Sequence, residues 1–313
     1  MVCNATATTA QVGMRSDPTG TATNFATRTT TTDWSASTDG AAATSTCTLS
    51  NTVYPANGTT FTWTPPAPLD SSYSIGSAGD FISFATALAF LNTNYPLQGI
   101  PEGGTIFNVA AGEVFPNTEL LPAITATGAP NRPITFRKTG DGANPILQVQ
   151  GTTATTDAAI KLMGGDYFTF ERIDIQNYPS LSSLEYGFQL AAQSYNPCSH
   201  NSISYCSITL SRSNSATKAI LSAGATSAGN SNNSYLNLGI ADCNTGIYLY
   251  GNGTAAYHND GELVSNCVLT DISGQGIEIN YSTSVRVTLN QISMCANNNI
   301  FMNTSTPGNA GIT

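Results

Sequence analysis

The chain has 313 residues, a net charge of −9 and only 9% Asp, Glu, Lys and Arg, where ordinary soluble domains carry about 25%. Ten Lys and Arg against 19 Asp and Glu leave no broad phosphate-binding surface, which argues against a nucleic-acid partner. The same shortage of charge excludes coiled coils and charged disordered tails, and no apolar run reaches the roughly 18 residues of a membrane span. What remains is an all-β composition of extracellular or cell-surface type, with its polarity carried by Thr, Ser and Asn.

Residues 1–66 are rich in Thr and Ala, with Trp34, Tyr54, Phe61 and Trp63 in short alternating stretches. They read as a small β region or an extended arm, closed off by Pro65, Pro66 and Pro68. The opening residues lack the basic and apolar stretches of a signal peptide. NTSTPGNAGIT follows directly on a strand-like segment. Both ends therefore read as cut from a longer extracellular protein, with the β-helix of residues 72–313 truncated at its C-terminal end.

Gly79 and Asp80 precede Phe81, Phe84, Ala85, Leu88 and Leu91. That spacing predicts a helix with Asp80 as its N-cap. Strands are expected at 105–115 and 133–138.

From about residue 160 the pattern repeats. An apolar-x-apolar-x-x-apolar-x-apolar unit is followed by a polar turn, then a small residue or Asn and another apolar pair. The copies begin at Phe168, Ile203, Leu236, Leu263 and Val287, and the paired segments are Gly187-Phe188, Ala219-Ile220, Gly246-Ile247, Gly276-Ile277 and Asn299-Ile300. One such coil cannot bury its apolar side alone, and stacked coils make a continuous core. The expected fold is all-β: a right-handed, three-sheet parallel β-helix with an N-terminal capping helix, in which Ile208, Val268 and Ile292 share one column. A β-sandwich explains the strands but not the recurrence in phase.

Seven cysteines show no Cys-x-x-Cys pair, and there are two histidines, so nothing points to a metal or another cofactor. A secreted setting favours disulfides, with Cys3–Cys47 and Cys198–Cys206 as the candidates. Cys243 and Cys267 read as small buried hydrophobes.

The segments SIGSAGDFISFATALAFLNTNYP, GGTIFNVAAGEVF, NRPITFRKTGDGANPIL and GGDYFTFERIDIQNY resemble secreted right-handed β-helix proteins of the pectate-lyase-like superfamily. They are most similar to large surface proteins of Bacteroidota-type bacteria. The resemblance covers about residues 72–303, and it implies that the amphipathic helix caps the open end of the coil. It also brings in lyases, hydrolases and esterases of acidic polysaccharides, but their diagnostic Gly-His-Gly and Arg-x-Pro-x-x-Arg patterns are absent from the sequence.

No catalytic set assembles from the residues. Asp174 and Asp242 fall at one outward position two coils apart, at about 10 Å from the spacing of stacked strands, just beyond an inverting pair. Arg172 and Arg286 lie too far apart to share a site. Lys161, Arg137 and Lys138 lie nearer the capped end, and His258 with Asp260 occupies a polar loop.

The outward positions of the paired segments are more suggestive. Gln189, Tyr248, Glu278 and Phe301 run down one column, with Tyr250, Asn280 and Asn303 two residues on. Aromatic and amide side chains on a flat sheet can stack sugar rings and hydrogen-bond their hydroxyls. The alternatives are a stabilising ladder or a face covered by a neighbouring chain. Six Asn-x-Ser/Thr sequons, at Asn4, Asn57, Asn232, Asn252, Asn280 and Asn303, arise readily by chance in so Asn-rich a chain.

The sequence alone ranks a non-catalytic adhesin or structural module of a surface assembly or filament first. A carbohydrate-binding module is second, and a polysaccharide lyase or hydrolase third. The last coil, with Leu289, Ile292 and Ile300 expected in its open core, is a candidate contact for a neighbouring subunit.

Overall fold

The computed structural model describes residues 66–152, 156–179 and 183–303 in full, together with the backbone of six short strands outside them. The chain divides into two compact units, Met1–Leu69 with Thr93–Pro101, and Asp70–Asn92 with Glu102–Thr313. In the first unit, Val2–Asn4, Gln11–Met14 and Phe25–Arg28 form an antiparallel three-stranded sheet, and Ser45–Leu49 pairs with Thr59–Trp63. Trp34 and Tyr54 lie outside the described residues, as do the side chains of Cys3 and Cys47.

The second unit is a parallel β-solenoid of three sheets, with nine, seven and six strands. Each full coil contributes one strand to each sheet in that order, as in Phe168–Glu171, Asp174–Asn177 and Tyr186–Ala191. Alternation explains the stack. In the nine-stranded sheet Phe170, Ile203, Tyr235, Val264 and Val287 are register partners, all buried, and 33, 32, 29 and 23 residues apart. Toward the N-terminus the row becomes aromatic: Phe107 stacks on Phe136 at 4.5 Å and Phe136 on Phe170 at 5.4 Å. In the seven-stranded sheet the row is Ile175, Ile208, Ile240, Leu269 and Ile292.

Between these two sheets the chain turns on one residue in the left-handed region: Arg172, Tyr205, Asn237, Asn266 and Leu289, with φ from 55° to 59°. This corner sets the phase of the coil, and it corrects the expected register. Ile208 and Ile292 share a column as expected, but their partner is Leu269. Val268 points out and is 48% exposed. Both phases of the segment LVSNCVLTD carry apolar residues, so alternation alone does not choose between them; the corner at Asn266 does. By the same shift Leu289 is a corner residue, 79% exposed, and not part of the open core.

The paired segments of the six-stranded sheet fall in register as the sequence predicts: Phe188, Ile220, Ile247, Ile277 and Ile300 are consecutive partners. The glycine before Phe188, Ile247 and Ile277 follows from close packing. A Cβ on Gly246 would lie 2.4 Å from the Gly276 carbonyl and 2.5 Å from Leu269 Cδ2.

The helix spans Phe84–Gln98. Its Phe84 packs edge-on against Phe115 and lies over Phe136, covering the end of the core. The N-cap is Ser83, whose Oγ accepts from Thr86 N at 3.2 Å. Asp80, expected in that role, instead accepts from the Ser74 amide and hydroxyl. Cys198 and Cys206 are separate buried thiols, not the expected disulfide. A strand and a corner lie between them, and Cys206 fills the inward slot that Ile173 and Leu238 fill in the adjacent coils, while Cys198 stands in a row with Asn230. No helix among the described residues is long and apolar enough to cross a membrane.

Candidate functional site

The solenoid offers two concentrations of polar chemistry, one on the outer face of the six-stranded sheet and one inside the coil.

On the outer face, Lys161, Gln189, Leu221, Tyr248, Glu278 and Phe301 are consecutive register partners. Four of the seven residues singled out from sequence thus form one column. Tyr250 and Asn280 are partners in the column beside it. Asn303 N donates to Ile279 O at 3.0 Å at the end of the last strand. Sequence reasoning missed Leu221, which follows the small-Ile pair Ala219-Ile220. It also missed Tyr186 and Lys218, the residues just before the small residue of their pairs.

These side chains interlock. The Lys218 ammonium lies 5.5 Å from the Tyr186 ring centre and 5.6 Å from that of Tyr248, and it donates to the Ala216 carbonyl at 3.1 Å. Burial lowers its pKa, opposed by the charges of Glu278 and Glu185. Ala158, Tyr186 and Leu221 form a buried apolar cluster against which Ala223 and Tyr248 pack. Tyr248 and Tyr250 are 5.5 Å apart, and Tyr250 meets Tyr281 edge-on at 5.8 Å. Burial pushes the Tyr248 phenol up to about 12.

Asn280 completes the face. Its Nδ2 donates to the Tyr248 hydroxyl and to Glu278 Oε1, both at 3.0 Å. An ionised carboxylate only accepts, so this contact fixes which way the amide points. Asn280 Oδ1 is then left buried without a partner, as is Gln189 Oε1. Buried carbonyl oxygens are normally satisfied, and these two lie unpartnered beneath the aromatic face.

The interior site lies where each coil enters the nine-stranded sheet. Phe168 N donates to Asn201 Oδ1, Asn201 N to Asn233 Oδ1, and Asn233 Nδ2 to Glu262 Oε1 at 2.9 Å. A second row runs alongside: Cys198 N donates to Asn230 Oδ1, and Asn230 N to Asn259 Oδ1. Glu262 is fully buried, and the hydroxyl of buried Tyr235 lies beside its carboxyl and interacts with it. Burial raises the Glu262 carboxyl to about 8, with the nearby Asp260 charge adding to the effect. In the sequence Glu262 is one of several carboxylates on the coils. Its position two residues before inward Val264, matching Asn201 before Ile203 and Asn233 before Tyr235, is the signal that it points inside.

Of the remaining polar candidates, Asp174, Arg172, Arg137, Lys138 and Asp260 have structural partners. Asp174 and Asp242 do not share a column: Asp174 precedes Ile175, whereas Asp242 follows Ala241, the partner of Thr209. Asp174 accepts from Ser207 N and Asn144 Nδ2. The Arg172 guanidinium lies over Tyr205 at 4.6 Å, Arg286 is exposed on its strand, Arg137 Nε donates to Asn108, and Lys138 to the Gly142 carbonyl. Asp260 accepts from Thr283 Oγ1, while His258 is buried 6.0 Å from the Tyr281 ring.

Neither a protein-family model nor a curated protein sequence matches the chain. Among solved structures, the alginate lyase from Paenibacillus sp. strain FPU-7 is similar over 74% of this chain and 74% of its own, with 15% identity and a TM-score of 0.50. The GH136 lacto-N-biosidase from Eubacterium ramulus is similar over 72% of this chain, with 17% identity and a TM-score of 0.57; the match spans 45% of that protein. Likeness at this level concerns the fold, a parallel β-solenoid whose structural neighbours have the pectate-lyase-like fold, and not the chemistry.

Proposed function

We propose that this is an extracellular β-helix protein that binds a glycan on the outer face of its six-stranded sheet. The observation that carries the reading is the pair of half-buried Tyr248 and exposed Tyr250, 5.5 Å apart on that face and joined to Glu278 through Asn280. Aromatic rings offer apolar area to the faces of sugar rings, and the Glu278 carboxylate beside them can accept from sugar hydroxyls. The structural neighbours, an alginate lyase and a lacto-N-biosidase, support the carbohydrate alternative better than the non-catalytic adhesin that the sequence ranked first. Burial of Lys218 moves it toward proton exchange nearer neutral pH, so turnover belongs in the same assay.

Calorimetry of the whole chain against a panel of neutral and acidic oligosaccharides tests this, with product analysis for new reducing ends or unsaturated sugars. Tyr248→Ala should weaken binding by roughly tenfold or more, while Tyr248→Phe, which keeps the ring, should stay within a few-fold of the wild type. A chain that binds none of the panel overturns the proposal, as does unchanged binding by Tyr248→Ala.

A further inference from the structure

We infer that Asn252 and Gly253 form a self-modifying site, at which the folded chain converts Asn252 through a cyclic imide to aspartate and isoaspartate. This chemistry is independent of what the outer face binds. Asn252-Gly253 is the one Asn-Gly pair among the described residues. It stands in the turn that leaves the six-stranded sheet after Tyr250.

The turn assembles the reacting groups. Asn252 N donates to Tyr257 O at 3.0 Å and Tyr257 N to Thr254 O at 2.8 Å, which closes the loop. Asn252 Oδ1 accepts from Thr254 N at 2.8 Å. That bond draws electrons away from Cγ, and it is already in place for the negative charge that Oδ1 takes up when Cγ is attacked. The attacking atom is Gly253 N, the next along the chain. Neither its N–H nor Asn252 Nδ2 has an acceptor among the described residues, so no hydrogen bond has to break before either reacts. Gly253 and Thr254 are exposed to base and water, and glycine has no Cβ to obstruct the approach.

The atoms balance with water as co-reactant. Solvent base takes the Gly253 amide proton and the N–Cγ bond forms. The Cγ–Nδ2 bond breaks as Nδ2 takes up a proton and leaves as ammonia. Water then opens the imide. Addition at Cγ breaks the new bond and gives aspartate. Addition at the backbone carbonyl carbon of the same residue breaks the original peptide bond and leaves Gly253 attached through Cγ, as isoaspartate.

Asn230 and Asn233, inside the coil, show the contrast. Each precedes a serine, but Ser231 N donates to Cys198 O and Ser234 N to Asn201 O. Their side-chain amides donate to Leu190 O and to Cys198 O, and both residues are fully buried. Nucleophile and leaving group are tied down there, and the Asn252 turn holds neither. Its product also lies beside the aromatic face: a Cβ on Gly253 would meet Tyr281 Cε1 at 3.6 Å, and Tyr281 meets Tyr250 edge-on.

The test incubates the whole chain at neutral and mildly alkaline pH and maps it by mass spectrometry. Chymotryptic cleavage after Tyr250 and Tyr257 releases residues 251–257. That peptide should gain the mass difference between an amide and an acid, faster at the higher pH, and part of it should accept a methyl group from an isoaspartyl methyltransferase. Peptides holding Asn230 and Asn233 should change only after denaturation. Gly253→Ala places its methyl at ordinary contact distance from Tyr281 and should slow the conversion at least about fivefold. Thr254→Pro deletes the polarising N–H at a φ of −84°, close to the proline range, and should slow it about threefold or more. Circular dichroism checks that both variants fold, and Gly253→Ala decides alone if Thr254→Pro does not. A native 251–257 peptide that stays unchanged, or that changes no faster than those of Asn230 and Asn233, overturns the inference. So does an unaltered rate in either folded variant.

Discussion

Asn233 donates an amide hydrogen to Glu262 Oε1 at 2.9 Å inside the coil stack, where neither side chain reaches solvent. The contact ends a row of amides on a carboxyl group with no cation beside it, and this has a measurable consequence for stability.

Burial raises the Glu262 carboxyl from 4.5 to about 8. Below 4.5 both the folded and unfolded chains hold the proton. Between 4.5 and about 8 the unfolded chain releases it while the folded chain keeps it, so stability falls as pH rises, by about 1.4 kcal/mol per pH unit at most. Above that window both states are ionised and the loss is complete. Glu262→Gln keeps the shape and cannot ionise. Its melting temperature should therefore decline less than that of the wild type across the window, and identical slopes would show that Glu262 does not hold its proton there.

Leu289 is a corner residue at φ 57° with a largely exposed side chain. Left-handed backbone strains a leucine, and little apolar burial offsets it. Asn237 and Asn266 occupy the same corner in the two preceding coils and are hydrogen-bonded to each other. Leu289→Asn should raise stability by about 0.5–1 kcal/mol, read as an increase in melting temperature. A decrease would mean that the leucine packs against something in solution.

Ser83 caps the helix that covers the aromatic end of the core. Ser83→Ala should cost about 1 kcal/mol and lower the melting temperature, with Ser83→Asp restoring it. Asp80→Asn should leave the helix intact, because Asp80 serves the Ser74 turn. Helix loss in Asp80→Asn alone would return the cap to Asp80.

Burial pushes the Cys198, Cys206 and Cys243 thiols up to about 12, and that of Cys267 to about 11. All four should resist alkylation in the native protein and react after denaturation, whereas the partly exposed Cys295 should react first. Peptide mapping by mass spectrometry separates these sites. A Cys198–Cys206 disulfide in the map would reinstate the pairing that the sequence suggested.

The paired segments of the six-stranded sheet were legible because their small residue is forced: Gly246 and Gly276 leave no room for a Cβ, so spacing and composition agree. The outer column Gln189, Tyr248, Glu278 and Phe301 followed from them directly. The nine- and seven-stranded sheets were harder. Their strands are only two to five residues long from Ser202 onward, too short for alternation to fix a phase, and the corner that fixes it is Arg, Tyr, Asn, Asn or Leu. Three of those five side chains give no hint of a left-handed backbone. The interior rows stayed hidden for a related reason: Asn201, Asn233 and Glu262 look like turn residues, and only the correct phase turns them inward.

Those rows also bear on how the chain finds its order. Coils of similar shape can mispair by one whole repeat, and apolar columns discriminate poorly, since Ile, Leu and Val exchange with little penalty. The inward position before each strand reads Phe168, Asn201, Asn233, Glu262 and Val285. Displacing the stack by one coil would set an amide against a phenylalanine at one end and a carboxyl against an asparagine's vacated place at the other, with buried hydrogen bonds lost at each. The polar interior thus acts as an address, telling each coil which neighbour is its own.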